Sequence, residues 1–556
     1  MFIPQSYLFK DLIPELISKY GDNNALGFVG EEFITYAQMG KRIDAVMAYM
    51  ETLGIKPGDR VIIYSQNMPN WGIVYFATQC MGVVVVPVLP DFTTYELGNI
   101  IEHSEAKAIF ISKSLEFKLA KIEKVSIGLV IRVDDFDLLK GGEASALYDE
   151  NKQPKGTYSP NEDVMSVLLY TSGTTGTPKG VMLSQKNLIT NIYQSNHVQK
   201  ITESDRFLSV LPLSHTYENT IGFLLPLVNG ASISYLRRPP SGSVLLPALN
   251  KVKPTMMLIV PLIIERIYKG NILKKINSKS ITRFLYKFRP TQRILNGMAG
   301  KKLYDTFGGQ LKFFGVGGAK LDAQVERFLR DTKFPLSIGY GLTETSPLVA
   351  GGAPGKGKFQ AIGPKVVDAE VIIHNPDPET GEGEIWVRGD NVMLGYYKNE
   401  EITKEVLTDD GWFKTGDLGS FDKNGMLTHK GRLKSLIVGA SGENIYPEEI
   451  ESLINKFEFV EESLVIEDKG GLVALVNFNM EDLEQKLKEM RSDVSIKIED
   501  MEGKINELRN DLKEYINSKV SNSSKLQDIR HQIEPFKKTA TQKIKRYLYK
   551  SEDNKK

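Results

Sequence analysis

Eight short runs of β-branched and other apolar residues recur at 61–64, 83–88, 108–112, 129–133, 164–170, 207–211, 256–260 and 311–316, with helical segments between them. Strands apolar throughout are buried on both faces, and parallel neighbours need a crossover connection, usually helical. The alternation predicts layered α/β sheets that are largely parallel. With 556 residues the chain exceeds what one core usually serves, roughly 250–300 residues, so two or three domains are expected. From about residue 366 the texture shifts to shorter strands (370–374, 383–387, 425–427) and turn signals, which predicts a β-rich subdomain over about 366–432. Strands near Leu464 and at 472–478 then mark a separate α+β module over 433–556, leaving 1–432 as the large N-terminal domain.

Within that module Leu483, Leu487, Met490, Val494, Ile498, Met501, Ile505, Leu508, Leu512 and Ile516 fall three or four apart, with charges filling the gaps. One long amphipathic helix, or two with a break near Gly503, is expected over about 481–520. A hairpin packed on its own module is the favoured reading over a coiled-coil partner surface. The run 71–90 is uncharged and long enough on paper to span a bilayer. Gly82 and Pro87 instead divide it into a buried helix and a strand.

Lys plus Arg number 70 and Asp plus Glu 69, so the net charge of +1 points to no nucleic-acid partner, and any polyanion site must be local. One cysteine and six scattered histidines offer neither an internal disulfide nor a thiolate zinc site. With no signal-peptide pattern at the start, a cytoplasmic location is expected. A local asymmetry stands out all the same: residues 266–304 contain no acid, while Lys269, Lys274, Lys275, Lys279, Arg283, Lys287, Arg289, Arg293, Lys301 and Lys302 accumulate among Phe284, Leu285, Tyr286, Phe288 and Leu295. Such a stretch is usually a solvated face; the functional alternative is peripheral contact with an anionic membrane. No obligate protein partner is inferred.

The strongest chemical signal is YTSGTTGTPKG at 170–180, between a predicted strand and a helix opened by Ser184. Its glycines leave backbone N–H groups bare, its hydroxyls are dense, and Lys179 adds a cation, the ingredients of a polyphosphate cradle. The GxxxxGK[ST] P-loop is a different pattern, because Gly180 follows the lysine. In GYGLTET (339–345), Thr343 and Glu344 sit just past a strand end, where open α/β sheets gather ligands. A carboxylate beside phosphates is repulsive unless a cation lies between, so Glu344 suits Mg2+. Asp417, an acceptor-only group, suits a ribose diol.

These stretches resemble the adenylate-forming superfamily of acyl-CoA synthetases, nonribosomal adenylation domains and luciferases. The likeness extends in order through LPLSHTYE (211–218), GVGGAKL (315–321), KTGDLG (414–419), GRLKSLIV (431–438), GENIYPEEIE (442–451) and KKTATQKIKR (537–546). It implies a layered α/β N-terminal domain with a mobile C-terminal domain, as in acetyl-CoA synthetase and luciferase. It implies ATP, Mg2+ and coenzyme A as the small molecules used. For ATP it implies contacts from Thr171, Ser172, Gly173, Thr174, Thr175, Gly176, Lys179, Gly317, Gly318, Ala319, Tyr340, Gly341 and Thr343. Glu344 is then the metal ligand, Asp417 and Arg432 hold the ribose, and His215 orients the incoming carboxylate. Lys543 neutralises charge during adenylation; the family's usual glycine before it is Gln542 here. Lys434 matches the hinge about which the small domain rotates, after which Gly442 lines the pantetheine channel.

Among branches of the superfamily, LPLSHTYE and the insert at 266–304 look most like the long-chain fatty acid–CoA ligases, with 221–228 and 256–261 as tunnel walls. An acyl-AMP ligase that loads a carrier protein is the alternative. A scaffold protein is disfavoured because the motif residues are all present, and a serine hydrolase fails because GASGE is not GxSxG.

Overall fold

The computed structural model describes residues 2–122, 127–143, 146–171, 178–438, 444–457, 459–468, 470–484, 498–539 and 543–549. Two eight-stranded sheets dominate. The first runs Leu348–Gly351, Leu336–Gly341, Phe313–Val316, Met256–Ile259, Arg206–Ser209, Ser232–Tyr235, Asn24–Phe28, Ile34–Thr35. Its six inner strands are parallel, and only the edges pair antiparallel. The second runs Gly395–Tyr396, Lys179–Ser184, Met165–Thr171, Val84–Val88, Arg60–Tyr64, Ala108–Ile111, Leu129–Arg132, Leu138–Lys140.

Local signals explain the junctions. Thr35, Thr93 and Ser184 each cap a helix by accepting an amide three residues on, and the third side chain of each box returns the bond. Gly82, at φ 71°, ends the buried helix Pro69–Met81 and releases the chain into Val84–Val88, so the apolar run 71–90 is interior. Burial pushes the Cys80 thiol on that helix up to about 12, which keeps it protonated and inert. No helix among the described residues is long and apolar enough to cross a membrane.

The four-stranded antiparallel sheet Glu370–His374, Gly383–Arg388, Phe413–Phe421, Leu427–Arg432 shares its core with the large sheets through Val371, Ile385, Val387, Phe413 and Leu427. The strand expected at 425–427 begins instead at Leu427 and runs to Arg432. Gly425, at φ 72°, forms the turn before it by donating to the Asp422 carbonyl.

A second, separate core comprises Ile445, Ile450, Ile454, the strands Val460–Asp468 and Gly471–Phe478, and Leu526–His531. Leu483, Ile505, Leu508, Leu512 and Ile516 are buried in it, so the apolar stripe packs on its own module. The helix Ile498–Asn517 passes through Gly503 unbroken, so of the two alternatives the one with a break at that glycine is not the one adopted. A single glycine costs a helix only about 1 kcal/mol, less than the packing of the stripe around it returns. Leu487, Met490 and Val494, with the side chains of Ile498 and Met501, lie outside the described residues.

Candidate functional site

Parallel strands deliver their carboxyl ends to one side of each sheet, and the motif residues follow those ends. Thr171 closes Met165–Thr171 and faces Lys179 across the antiparallel register. The tip between them, with Ser172, Gly173, Thr174, Thr175 and Gly176, lies outside the described residues, as does Gly442. Phe313–Val316 leads into Gly317, Gly318 and Ala319. A side chain on Gly317 would meet the Tyr217 ring at 3.2 Å, so glycine lets strand and ring approach. Leu336–Gly341 presents Tyr340 and leads into the short turn Thr343–Thr345. At Gly341 an added Cβ would fall 1.9 Å from the Pro347 carbonyl oxygen, which closes the same loop.

Glu344 is held from two sides. Its carbonyl accepts from the Met393 amide at 2.8 Å, and its carboxylate Oε1 accepts from the Tyr396 hydroxyl at 2.9 Å. Lys179 Nζ stands 5.1 Å over the Tyr396 ring, joining this lysine to the same cluster. Desolvation, with the nearby Lys434 charge, lowers the Lys179 pKa even though Glu344 opposes it. No donor among the described residues bonds Glu344 Oε2. No described group of three or more His, Cys, Asp or Glu side chains forms a cage. That is the donor set Mg2+ accepts when one carboxylate serves beside substrate phosphates, so Glu344 fits the ion.

Asp417 and Arg432 are cross-strand partners in antiparallel register, which sequence distance hides. The Tyr340 hydroxyl donates to Asp417 Oδ2 at 2.8 Å. Arg432 Nε lies 3.3 Å and His429 Nε2 3.7 Å from Oδ1, yet no hydrogen bond reaches this buried oxygen. Burial raises the Asp417 pKa, but His429 and the Arg432 charge outweigh it and hold the carboxyl below its usual range. A buried acceptor with no donor is what a ribose hydroxyl would complete.

Lys543 arrives from the C-terminal module beside the antiparallel bridge between Lys538 and Ile544, and Thr539 donates its amide to the Lys543 carbonyl at 2.8 Å. Its ammonium is exposed within the cleft. Desolvation by the cleft walls, then Arg432, lowers its pKa, against the pull of Asp417, Glu448 and Glu344. Lys545 approaches Glu96 at 3.8 Å and Tyr446 donates to Glu382 at 2.8 Å, further bridges between the module and the rest.

His215 lies within reach of the Lys543 field, and burial with that charge pushes its imidazole down to about 4. Its Nδ1 accepts from the Tyr217 amide at 3.2 Å, so the neutral ring carries its proton on Nε2. Lys434 is exposed at the start of the module, in the single turn Leu433–Ser435.

Tyr396, His429, Tyr217, Asn67 and Glu218 join the site without having been singled out. Asn67 braces the His215 loop, bonding the Leu211 carbonyl at 2.6 Å and the Leu213 amide at 2.9 Å. It also donates to Ser209 Oγ at 2.9 Å, which donates to Glu218 Oε1 at 2.5 Å. Motif membership of Glu218 was the one available signal; nothing in spacing ties Asn67 or Tyr396 to residues some fifty or more positions away.

Burial pushes the Glu218 carboxyl up to about 8. The folded state keeps this proton where the unfolded chain releases it, so the contribution is complete below the ordinary carboxyl pKa and is lost as pH rises through about 8. Glu218→Gln, which still accepts from Ser209, is expected to remove that loss, about 1.4 kcal/mol per pH unit across the window. Urea unfolding of both proteins at several pH values checks it, and an unchanged slope would contradict the assignment.

Beside the cleft, Tyr217, Ile221, Leu225, Met256, Leu258, Gly315 and Gly339 line an apolar cavity. It brings together both stretches expected to wall a tunnel.

An α/β scaffold that gathers a carboxylate open on one oxygen, a buried acceptor and three cations around one cleft has the make-up of a nucleotide-handling enzyme. The chain belongs to the AMP-binding enzyme family, whose model matches residues 15–397. It is 31% identical over 495 residues to long chain acyl-CoA synthetase 6, peroxisomal, of Arabidopsis thaliana, covering 82% of this chain and 70% of that protein. It is 29% identical to the long-chain-fatty-acid–CoA ligase FadD15 of Mycobacterium bovis, covering 81% and 78%. Among solved structures, o-succinylbenzoate CoA synthetase from Bacillus subtilis, in complex with its acyl-adenylate intermediate, shares the fold with a TM-score of 0.75 at 21% identity, covering 97% of this chain and 98% of that one.

Proposed function

We propose that this chain is an AMP-forming long-chain fatty acid–CoA ligase. A fatty carboxylate attacks the α-phosphorus of ATP, giving acyl-adenylate and pyrophosphate, and the thiol of coenzyme A then displaces AMP. The observation that carries the reading is the juxtaposition of Lys543, from the C-terminal module, with Glu344 at the end of a large-sheet strand and the cross-strand pair Asp417 and Arg432 of the four-stranded sheet, beside an apolar cavity.

In this reading Asp417 accepts from the ribose, Arg432 fixes that carboxylate, and Tyr340 presents its face to adenine. Thr171, Thr343 and Lys179 face the phosphates. Mg2+, held by Glu344 and phosphate oxygens, supplies charge neutralisation at the triphosphate. His215 donates from Nε2 to an oxygen of the incoming carboxylate, and Lys543 stabilises the charge gathering at the α-phosphate. The acyl chain lies along Ile221, Leu225, Met256 and Leu258. Residues 1–432 form the large domain and 433–556 the mobile one, a division supported by the separate core of the latter. The enzyme works in the cytoplasm, with peripheral contact to the inner face of the membrane through 266–304.

AMP release measured across carboxylates from acetate to oleate, with and without coenzyme A, tests the function. A clear preference for long chains is expected, and no release with any of them would overturn it. The hinge reading has its own test. Lys434→Pro is expected to lower thioester formation roughly 100-fold while changing adenylation little, because only the second step needs the backbone there to swing. Equal loss in both half-reactions would remove the hinge role.

A further inference from the structure

The apolar cavity beside the cleft has a direction. Its floor is one face of the first sheet, contributed two residues apart by successive parallel strands: Met256 and Leu258, Phe313 and Gly315, Ser337 and Gly339. Leu258, Gly315 and Gly339 stand toward the carboxyl ends, on the side of Gly317 and the cleft. Met256, Phe313 and Ser337 lie one pleat, roughly 7 Å, further away. Phe207 is level with Met256 in the same far row. The roof over that row is the last turn of the helix Gln185–Val198 and the loop after it, which returns the chain to the amino end of Arg206–Ser209. From Gly317 to the Phe313 level is roughly 13 Å of strand, which brings an extended acyl chain to about its tenth carbon.

Two polar groups stand in this far roof. Ser195 is 3% exposed, and its Oγ has no hydrogen-bond partner among the described residues. A helical serine can satisfy itself on the carbonyl four residues back, and this one does not. Gln199, one turn further on, donates its side-chain amide to the Lys200 carbonyl at 3.0 Å, and its Oε1 accepts no hydrogen bond among the described residues. Other polar side chains nearby are committed. Asn187 donates to the Asp390 and Val392 carbonyls, Asn191 to the Leu348 carbonyl and Asn196 to Asn229. Ser337, on the floor, donates to the Gly352 carbonyl at 2.8 Å. Among the described residues no Lys, Arg, Asp or Glu lines the cavity.

We propose that the acyl chain this cavity takes carries a hydroxyl group about ten carbons from its carboxylate, accepting from Ser195 Oγ and donating to Gln199 Oε1. A buried hydroxyl without a partner carries a desolvation cost, and an unsubstituted chain leaves that cost standing. A substrate hydroxyl is both donor and acceptor, so it answers both groups at once. A second carboxylate is a poor match, because no cation stands in the wall to receive it. The inference rests on the ligase reading and deepens it, naming hydroxylated long-chain acids as the substrate class.

AMP release from stearate and from hydroxystearates substituted at the tenth or twelfth carbon tests it, with kcat and KM read separately. The hydroxyl is expected to raise kcat/KM roughly five- to tenfold over stearate. The gain falls chiefly in KM, because so remote a contact is made equally in the ground and transition states. Ser195→Ala with Gln199→Leu is expected to invert the preference, stearate then leading by roughly tenfold, as in an apolar wall that leaves a hydroxyl unanswered. Ser195→Thr, which keeps the hydroxyl, is expected to retain it. Each preference is a ratio within one protein, so a smaller folded fraction cancels. A hydroxystearate preference that survives the double substitution would overturn the proposal. Release from stearate with no gain from either hydroxyl sinks the substrate class alone. No release from any of these acids sinks the ligase reading and this inference with it.

Discussion

Replacing Lys543 by alanine is expected to lower acyl-adenylate formation roughly 10²- to 10³-fold while sparing thioester formation from supplied acyl-adenylate. The ammonium sits among Arg432, Asp417, Glu448 and Glu344, and desolvation by the walls with the Arg432 charge lowers its pKa against the pull of the three carboxylates. A cation held in a cleft close to a phosphorus undergoing attack is worth more than one in bulk water, because the protein walls reduce the solvent that would screen it. Since Lys543 reaches this position from the other module, its contribution belongs to the arrangement seen here and not to one in which that module has turned away. Pyrophosphate exchange and single-turnover thioester formation separate the two half-reactions. Equal loss in both would mean that the substitution damages the module and not one step.

Glu344→Gln is expected to reduce pyrophosphate release roughly 100-fold and to raise the Mg2+ concentration needed for half-maximal rate. Glutamine keeps an acceptor for the Tyr396 hydroxyl, which now lies 2.9 Å from Oε1, so the loop is preserved and only the charge is removed. Tyr396→Phe is the complement: the charge stays and its tether goes. A smaller loss with an unchanged metal requirement is expected there. If Glu344→Gln leaves metal dependence as it was, the ion is held by other groups and the assignment fails.

The importance of Glu344 and Lys543 can be suspected from the sequence, but their neighbours cannot be named from it. Glu344 is legible because it follows a strand end in a motif of small residues, and Lys543 because of the pattern around it. Tyr396 and His429 carry no comparable mark. They enter the site because Gly395–Tyr396 pairs with Lys179–Ser184 and because the antiparallel register of Phe413–Phe421 with Leu427–Arg432 folds the His429 end back over Asp417. The basic segment taught the same lesson in reverse, since Arg289 looks like its neighbours in sequence and differs from them only through Asp331.

The amino-acid sequence alone determined the alternation of strands and helices, the interior fate of the apolar run 71–90, the packing of the late helical stripe and the order of the chemistry-bearing loops. These depend on periodicity, β-branching and turn residues, which act over a few positions and are written locally. Tertiary structure alone decided which charges face which: Asp417 against Arg432, Glu344 under Tyr396, Lys543 across from both, and Glu218 sealed with its proton. Electrostatic and desolvation energies depend on distance through space and on what excludes water, and neither quantity is carried by separation along the chain.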